Sequence, residues 1–333
     1  MKRRDRLDED DVRIRPGRSK SRPRTKERPE HGNARTATVV TVDRGRFTII
    51  DEVGTEHYAV KARELGRKGI VVGDYVEAVG MDASTVIERE GREDFARIVR
   101  RLPRETTLRR TADDTDPVER VIVANADQLA VVVASTNPEP RTGLIDRALI
   151  AALDAGISPL LIVTKTDLAP ATPLTDLYGP LDLPLLEVSH KQVTEEVRHA
   201  LTDHRTVLVG HSGVGKSTLV NALVPDADRA TGGVNAVTGK GRHTSTSAIA
   251  LPLPGGGLII DTPGIRSFGL AHVDPERVIH AFPDLRLAAN ACPRGCSHDE
   301  PHCALDTDPQ VNPARLESLR RVLRSRAEAD TWD

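Results

Sequence analysis

The chain changes its hydrophobic rhythm partway along. Between residues 36 and 98, apolar and polar positions alternate in short runs at 37–42, 46–51, 57–60 and 75–79. Turn sequences separate them: Asp43-Arg44-Gly45, Val53-Gly54-Thr55 and Val72-Gly73-Asp74. A period of two places successive side chains on opposite faces, so each run predicts a strand. About five strands in this space suit a small closed barrel, and the OB-fold is the natural candidate. Farther on the runs lose their alternation, at 129–135, 160–163, 207–210, 248–253 and 258–261, with Pro254-Gly255-Gly256-Gly257 turning one of the last two back on the other. Residues 143–155 carry apolar positions at helical spacing. Strands interleaved with helices predict a mostly parallel, doubly wound α/β sheet.

Between the two rhythms, residues 97–116 are charged and poor in apolar side chains and read as a linker. Near the far end, Asn312-Pro313 caps a helix expected to run to residue 327. Arg320, Arg321 and Arg324 lie on adjoining positions of it, read as a solvated face with RNA contact as the alternative. The expected division is 1–35, a disordered basic tail; 36–98, the OB-fold domain; 99–116, the linker; 117–269, the α/β domain; and 270–333, a C-terminal helical domain.

At 333 residues the chain exceeds what a single core usually serves, in keeping with several domains. A net charge of -2 conceals a basic beginning: residues 1–35 hold 13 Lys or Arg against 7 Asp or Glu, with too few apolar side chains to fold alone. Such an arm can touch RNA phosphates or simply stay solvated, and composition favours neither. In the barrel, Phe47, Tyr58 and Tyr75 are read more as core than as stacking platforms for single-stranded RNA. No run of about 18 apolar residues exists to cross a membrane, and the first residues lack a secretory apolar segment. A soluble, cytoplasmic protein without membrane partners is expected.

Chemistry enters at Gly210-His211-Ser212-Gly213-Val214-Gly215-Lys216-Ser217-Thr218, which matches G-x-x-x-x-G-K-[ST] between a strand-like run and a helix-like one. Glycines let successive N–H groups converge on phosphate oxygens, Lys216 adds charge for the β and γ phosphates, and Ser217 offers a hydroxyl to Mg²⁺. Ahead of it, Thr164-Lys165-Thr166-Asp167 approaches the Asn-Lys-x-Asp sequence that holds guanine. An aspartate there accepts hydrogen bonds from guanine N1–H and its exocyclic amine, which adenine cannot supply. Val188-Ser189-His190 is read as the last base-contacting loop, with His190 where alanine is usual. Asp261-Thr262-Pro263-Gly264 ends a strand with a carboxylate for Mg²⁺ and a glycine N–H for the γ phosphate. Between these lie a flexible segment at 231–242 and His243-Thr244-Ser245-Thr246, a switch loop in which Ser245 is the Mg²⁺ hydroxyl by register and Thr244 or Thr246 a substitute. All three cysteines cluster with a histidine as Cys292, Cys296, His298 and Cys303, a tetrahedral Cys₃His set for one structural zinc.

Every part of a GTPase is present, but the base-reading elements precede the phosphate loop. The permuted order, the sequence Gly239-Lys240-Gly241-Arg242-His243-Thr244 and the cysteine cluster resemble the circularly permuted ribosome small-subunit-dependent GTPase A family, also called RsgA or YjeQ, over roughly residues 36 to 325. The resemblance implies an N-terminal OB-fold β-barrel, a central circularly permuted P-loop GTPase domain and a C-terminal zinc-binding α-helical domain. It also implies a monomeric GTPase that binds the small (30S) ribosomal subunit and its rRNA with GTP late in assembly, and leaves after subunit-stimulated hydrolysis to GDP.

Three departures refine that picture. Ile265 stands where glutamine would orient the attacking water, so intrinsic hydrolysis is expected to be slow, with the partner completing the site and His243 joining Lys216 as a catalytic residue. Thr164 replaces the usual asparagine and is expected to remove an amide that braces the phosphate loop. Each of two gaps in the cysteine cluster is one residue shorter than the family commonly has. Because Asp261 to Phe268 leads into the zinc domain, nucleotide state is expected to set that domain's pose. Two other readings stay open: a GTP-switched RNA-binding regulator indifferent to the ribosome, and an ATP-using P-loop enzyme in which Thr164 to Asp167 is a coincidence.

Overall fold

The computed structural model describes residues 7–8, 32–66, 69–86, 94–110, 118–225, 248–262, 270, 273, 275–301 and 303–324. The alternating runs form a closed barrel. Strands β1 (Arg35–Asp43), β2 (Arg46–Asp51) and β3 (Glu56–Lys61) follow one another antiparallel. On the other edge of β1 lies β4 (Tyr75–Val79), and β5 (Ala96–Arg101) closes the ring by pairing with β4 and, in parallel, with β3. Closure satisfies every strand edge within the barrel. Val39, Ile49, Ala59, Val76 and Ile98 point inward from the five strands and form its core. Phe47 joins them, whereas Tyr58 sits against Phe95 with ring centroids 6.1 Å apart and Tyr75 lies beneath the Arg205 guanidinium.

The stretch expected as a linker carries strands instead. β5 continues to Arg101, and β6 (Thr107–Arg110) pairs antiparallel with β7 (Val118–Ala124). Leu108 and Val123 are fully buried between them and the neighbouring layers. A half-buried strand needs few apolar side chains, which is why a charge count misses this one. Of the expected tail, residues 7–8 and 32–35 are described, and Leu7–Asp8 pairs in parallel with Val118–Glu119; the remainder lies outside the described residues.

This hairpin seats the barrel. Gly73 has φ +90° in the barrel's Val72-Gly73-Asp74 turn, and a Cβ there would stand 2.0 Å from the Ala124 carbonyl oxygen. Asp74, at 0 % exposure, accepts from Arg104 Nε and Nη2 at 2.7 and 2.9 Å and from the Val71 N–H at 2.8 Å. Arg205 reaches across to donate to the Gly73 carbonyl at 2.8 Å.

The continuously apolar runs form the second sheet. β8 (Gln128–Ala134), β9 (Ser158–Thr164), β10 (Leu185–Val188), β11 (Arg205–Val209) and β13 (Leu258–Asp261) are parallel, and β12 (Ile249–Pro252) returns antiparallel to β13. Their order is β10-β9-β8-β11-β13-β12, and Ile249 of β12 pairs with Thr41 of β1 to join sheet and barrel. Helices α1 (Thr142–Asp154) and α2 (Thr172–Tyr178) cover one face; α3 (Glu195–Leu201) and α4 (Lys216–Leu223) cover the other. The chain steps outward from β8 to β10 and then returns to the opposite edge of β8. Ligands bind at the strand carboxyl ends beside such a switch point.

The C-terminal helices α5 (Pro275–Ile279), α6 (Pro283–Ala289), α7 (Ala304–Thr307) and α8 (Pro313–Arg324) pack on α1. Val278, Leu285, Leu305, Leu319 and Val322 share one core cluster with Ile145 and Leu149 of α1. Arg320 and Arg321 of α8 are partly buried and used within the protein, contrary to the expected solvated face, whereas Arg324 stays exposed on it. Arg321 Nη1 donates to both oxygens of buried Asp146, at 2.8 and 2.7 Å, and its guanidinium lies 4.7 Å from the Tyr178 ring centroid. Tyr178 donates to Asp146 at 2.9 Å; burial, and then the Asp146 charge, raise its phenol above the ordinary range. Arg320 holds the His298 carbonyl and both oxygens of Asp306, while Arg324 holds Asp299.

The Arg104–Asp74 pair gives a stability test. Arg104→Met leaves a buried carboxylate uncompensated and should lower the free energy of unfolding by about 3 kcal/mol. Adding Asp74→Asn should recover part of that loss in urea titrations, because the remaining group is neutral. A double variant as unstable as the single one contradicts the assignment.

Candidate functional site

Strand β11 runs straight into the phosphate loop. A Cβ on Gly210 would stand 2.4 Å from the Val132 carbonyl oxygen, so only glycine lets the loop leave so close to β8. Gly213 and Gly215 take φ values of +84° and +93°, which glycine adopts without strain, and α4 opens at Lys216 immediately afterwards. Ser217 and Thr218 are exposed in that first turn, where the helix's unsatisfied N–H groups favour an anion. Val214 is buried beneath the loop, and His211 Nδ1 is 2.9 Å from the Ser212 carbonyl oxygen.

Asp261 arrives from the next strand, its ladder partner being Leu208 of β11. Lys216 Nζ donates to Asp261 Oδ1 at 2.6 Å. Thr262 donates from its buried hydroxyl to the Leu208 carbonyl at 2.8 Å, which pins the end of β13 beside the phosphate loop. Ser212, Gly213, Lys216, Ser217 and Asp261 therefore gather at one end of the sheet. His243, Ser245 and Gly264 lie outside the described residues, as do Thr244, Thr246 and Ile265.

The other half of the site comes from β9 and β10. Thr164 and Val188 face each other across their parallel ladder, so the loops that follow emerge side by side. Thr164 Oγ1 lies 2.5 Å from the Val214 carbonyl oxygen and 3.3 Å from that of Val133. Its single proton serves the nearer acceptor, so the hydroxyl ties the strand before the base-reading loop to the phosphate loop. The expected loss of a brace is thereby corrected: threonine is shorter than asparagine, but β9 brings it close enough. Lys165, with φ +59°, donates to the Asn137 carbonyl, and Ser135 donates to the Lys165 carbonyl at 2.8 Å.

Asp167 Oδ1 accepts the His190 N–H at 2.8 Å, and this hydrogen bond holds the carboxyl below its usual range. Ser189 and Gln192 close a tight turn in which His190 and Lys191 are both left-handed. Thr166 donates its N–H toward the Val188 carbonyl at 3.4 Å. A cleft opens between Thr164, Lys165 and Asp167 on one side and Gly215 and Thr218 on the other. Leu168, Lys191, Val193 and Leu219 also line it and were missed by the sequence reading. Leu168 directly follows Asp167, and that adjacency was the available signal; the structure leaves it 61 % exposed.

Among the C-terminal helices, Cys292, Cys296, His298 and Cys303 bring one ligand atom each to within 4.8 Å of one another. Tetrahedral zinc with bonds near 2.3 Å requires sulfur pairs about 3.8 Å apart. Here Cys303 Sγ lies 3.5 Å from Cys292 Sγ and 3.8 Å from Cys296 Sγ, with His298 Nδ1 3.9 Å away. The donors thus fit the metal in type and spacing despite the shortened gaps. Burial raises the Cys296 and Cys303 thiols and lowers His298; the lowered His298 favours the neutral imidazole that a metal binds.

A base-reading loop, phosphate loop and acidic strand end at one switch point, with the base reader first in the chain, define a circularly permuted P-loop GTPase. The family model for the RsgA GTPase matches residues 101–271. The small ribosomal subunit biogenesis GTPase RsgA of Pseudomonas aeruginosa (strain LESB58) is 43% identical over 258 residues, covering 74% of this chain and 75% of that protein. Among solved structures, YjeQ from Thermotoga maritima has a TM-score of 0.62 at 25% identity, over 88% of this chain and 99% of its own. YloQ, a circularly permuted GTPase, also scores 0.62, at 22% identity over 90% and 98%. The chain belongs to the RsgA GTPase family, and it is a GTP-hydrolysing enzyme.

Thr164→Val removes the hydroxyl and leaves the Val214 carbonyl without its donor. One hydrogen bond of about 1 kcal/mol predicts GDP binding weakened about fivefold to tenfold by fluorescence titration. Thr164→Ser should stay within about twofold of the wild type, since the same bond can form. Equal losses in both variants run against a hydroxyl brace.

Proposed function

We propose that this protein binds the small ribosomal subunit and its rRNA in the GTP state during late maturation and leaves after subunit-stimulated hydrolysis. The observation that carries this reading is the joining of the base-reading and phosphate loops through Thr164 and Val214, in a chain 43% identical to a curated small-subunit biogenesis GTPase. Asp167 with Lys165, Ser189 and His190 selects guanine. The loop from Gly210 to Thr218 holds the phosphates, with Lys216 countering charge at the β and γ positions and the Gly264 N–H facing the γ phosphate. Ser217, Ser245 and Asp261 would hold the Mg²⁺ that accompanies GTP, which supplies charge neutralisation across the phosphates. His243 positions the attacking water once the subunit has ordered its loop, since Ile265 has no hydrogen-bonding group to do so.

The closed barrel supplies an RNA-binding domain of OB type, residues 36–98, and the C-terminal helices from 270 form the zinc-binding unit. Cys292, Cys296, His298 and Cys303 would hold one structural zinc with all four positions filled by protein. No described helix is long and apolar enough to cross a membrane, in keeping with a cytoplasmic monomer whose partners are the subunit, GTP and GDP.

Steady-state GTP hydrolysis should rise by on the order of 10³-fold with small subunits and not with large ones. His243→Ala should abolish that stimulation while GDP still binds. No stimulation despite intact GTP binding refutes the ribosome-dependent reading, and an unchanged stimulated rate in the variant refutes the role of His243.

Purified protein should carry about one zinc per chain by elemental analysis, consistent with a closed four-ligand site. Cys303→Ser should lose the metal and increase hydrogen exchange in α8, because Arg320 couples that helix to the His298 carbonyl. Stoichiometric zinc in the variant contradicts the ligand set.

A further inference from the structure

Two aromatic rings of the barrel lie on its outer face. Phe47 of β2, Ala59 of β3, and Ala96 and Ile98 of β5 belong to the barrel core. Alternation along the strands therefore turns Arg46, Tyr58, Val60, Phe95 and Arg97 outward, with Phe95 just ahead of β5. Val60 is the ladder partner of both Arg46 and Arg97, so the two arginines flank it in one row across three strands. In the next outward row, Tyr58 stands beside Phe95 with ring centroids 6.1 Å apart and planes 50° apart, so the rings are not stacked on each other. Both are half-buried, and the Arg46 guanidinium lies 5.5 Å from the Phe95 centroid. Arg46 and Arg97 are exposed, and among the described residues neither makes an ion pair. The GTPase sheet meets the barrel elsewhere, at Thr41, the Gly73 carbonyl and Tyr75. Charge is segregated along the face: Arg44, Arg46, Arg63 and Arg97 lie toward one end of the strands, and Glu52, Glu56 and Asp94 toward the other.

We propose that this face binds two consecutive unpaired nucleotides of RNA: the bases stack on Tyr58 and Phe95, and the phosphates run past Arg46 and Arg97. This deepens the reading of the barrel as an RNA-binding domain and rests on it. A planar apolar ring beside an arginine suits a base and its phosphate, and such stacking accepts any base because each has a π face. A duplex keeps its base faces inside the helix and offers only backbone and groove edges, so it gains nothing from the rings. An acidic peptide would pair with the arginines but supplies no planar faces for the two rings. Glu52, Glu56 and Asp94 repel phosphate from the far end, which confines the nucleotide backbone to the arginine end.

The test measures binding of the full chain to a labelled oligouridine of about 12 nucleotides and to an RNA duplex of the same length. Tyr58→Leu and Phe95→Leu should each weaken the oligouridine complex about tenfold and leave duplex binding within about twofold. Thermal melting followed by circular dichroism should match the wild type in both, since leucine keeps an apolar contact at a half-buried position. Arg46→Gln combined with Arg97→Gln should lower the slope of log affinity against log salt by about 1.4, as for two single-strand phosphates, whereas the leucine variants should keep the wild-type slope. Unchanged oligouridine affinity in folded leucine variants overturns the face while leaving the RNA reading of the barrel in place. Equal losses for duplex and single strand overturn the stacking and the proposal with it. A wild type that binds neither RNA removes the RNA-binding reading of the barrel itself, a separate failure. If the leucine variants stop co-sedimenting with small subunits yet bind oligouridine as the wild type does, the face belongs to a protein partner and the proposal falls.

Discussion

The parallel ladders on the two edges of β8 fix the distance between the halves of the nucleotide site. Ala130 pairs with Leu160 of β9 on one side and with Leu208 of β11 on the other. The base-reading loop leaves β9, the phosphate loop leaves β11, and no covalent segment shorter than 40 residues connects them. All seven residues of β8 are buried, so its pairing is held by apolar packing on both faces as well as by backbone hydrogen bonds. The Thr164 to Val214 hydrogen bond then sets the fine register between loops that the ladders bring near. Order along the chain is irrelevant to these constraints, which is why a permuted connectivity keeps the same site.

The same economy appears where the C-terminal helices meet the sheet. Arg321 is bonded to Asp146 of α1 and stacked on Tyr178 of α2, so one guanidinium joins three helices. Breaking such a buried pair by removing one partner leaves a charge in an apolar setting and costs several times a surface ion pair. Arg320, one residue earlier, holds the carbonyl of His298 in the Cys₃His cluster. Adjacent residues of α8 thus bind the cysteine-cluster loop and the GTPase core, which fixes their relative placement through a single helix.

How far the sequence disclosed this depends on the type of signal. Gly210 to Thr218, Asp167, Asp261 and the Cys₃His set could be singled out in the sequence because the chemistry proposed for them demands particular residues at fixed spacing, and the structure brings Cys292, Cys296, His298 and Cys303 together. The barrel was legible because alternation survives in β1 to β4, each with turn residues between. β6 was not, because Leu108 is the one apolar side chain among its four residues; β7, with Val121, Ile122 and Val123 in a row, carried an apolar run that the strand reading passed over. The fate of Arg320, Arg321 and Arg324 was equally hidden. Their partners Asp306, Asp146 and Asp299 are 14, 175 and 25 residues away, and helical spacing within α8 carries no information about them. Thr164 was misjudged for a related reason: reach depends on how close the backbone comes, which residue type alone does not reveal.

The Lys216–Asp261 pair shows how the site can hold two opposed charges in place without a prohibitive cost to binding. Each is only partly exposed, at 14 % and 28 % of its side chain, so separating them with nothing in exchange would strand two poorly solvated charges. A nucleotide with its cation offers replacements of the right sign together: phosphate oxygens for the ammonium and a cation for the carboxylate. Neither alone does so, since phosphate by itself leaves Asp261 facing added negative charge. With the roles proposed for Lys216 and Asp261, the pair favours joint arrival of nucleotide and cation over either one separately. Thr262 adds to this by holding the end of β13 through the Leu208 carbonyl, so Asp261 cannot relax away from the phosphate loop when its partner turns elsewhere.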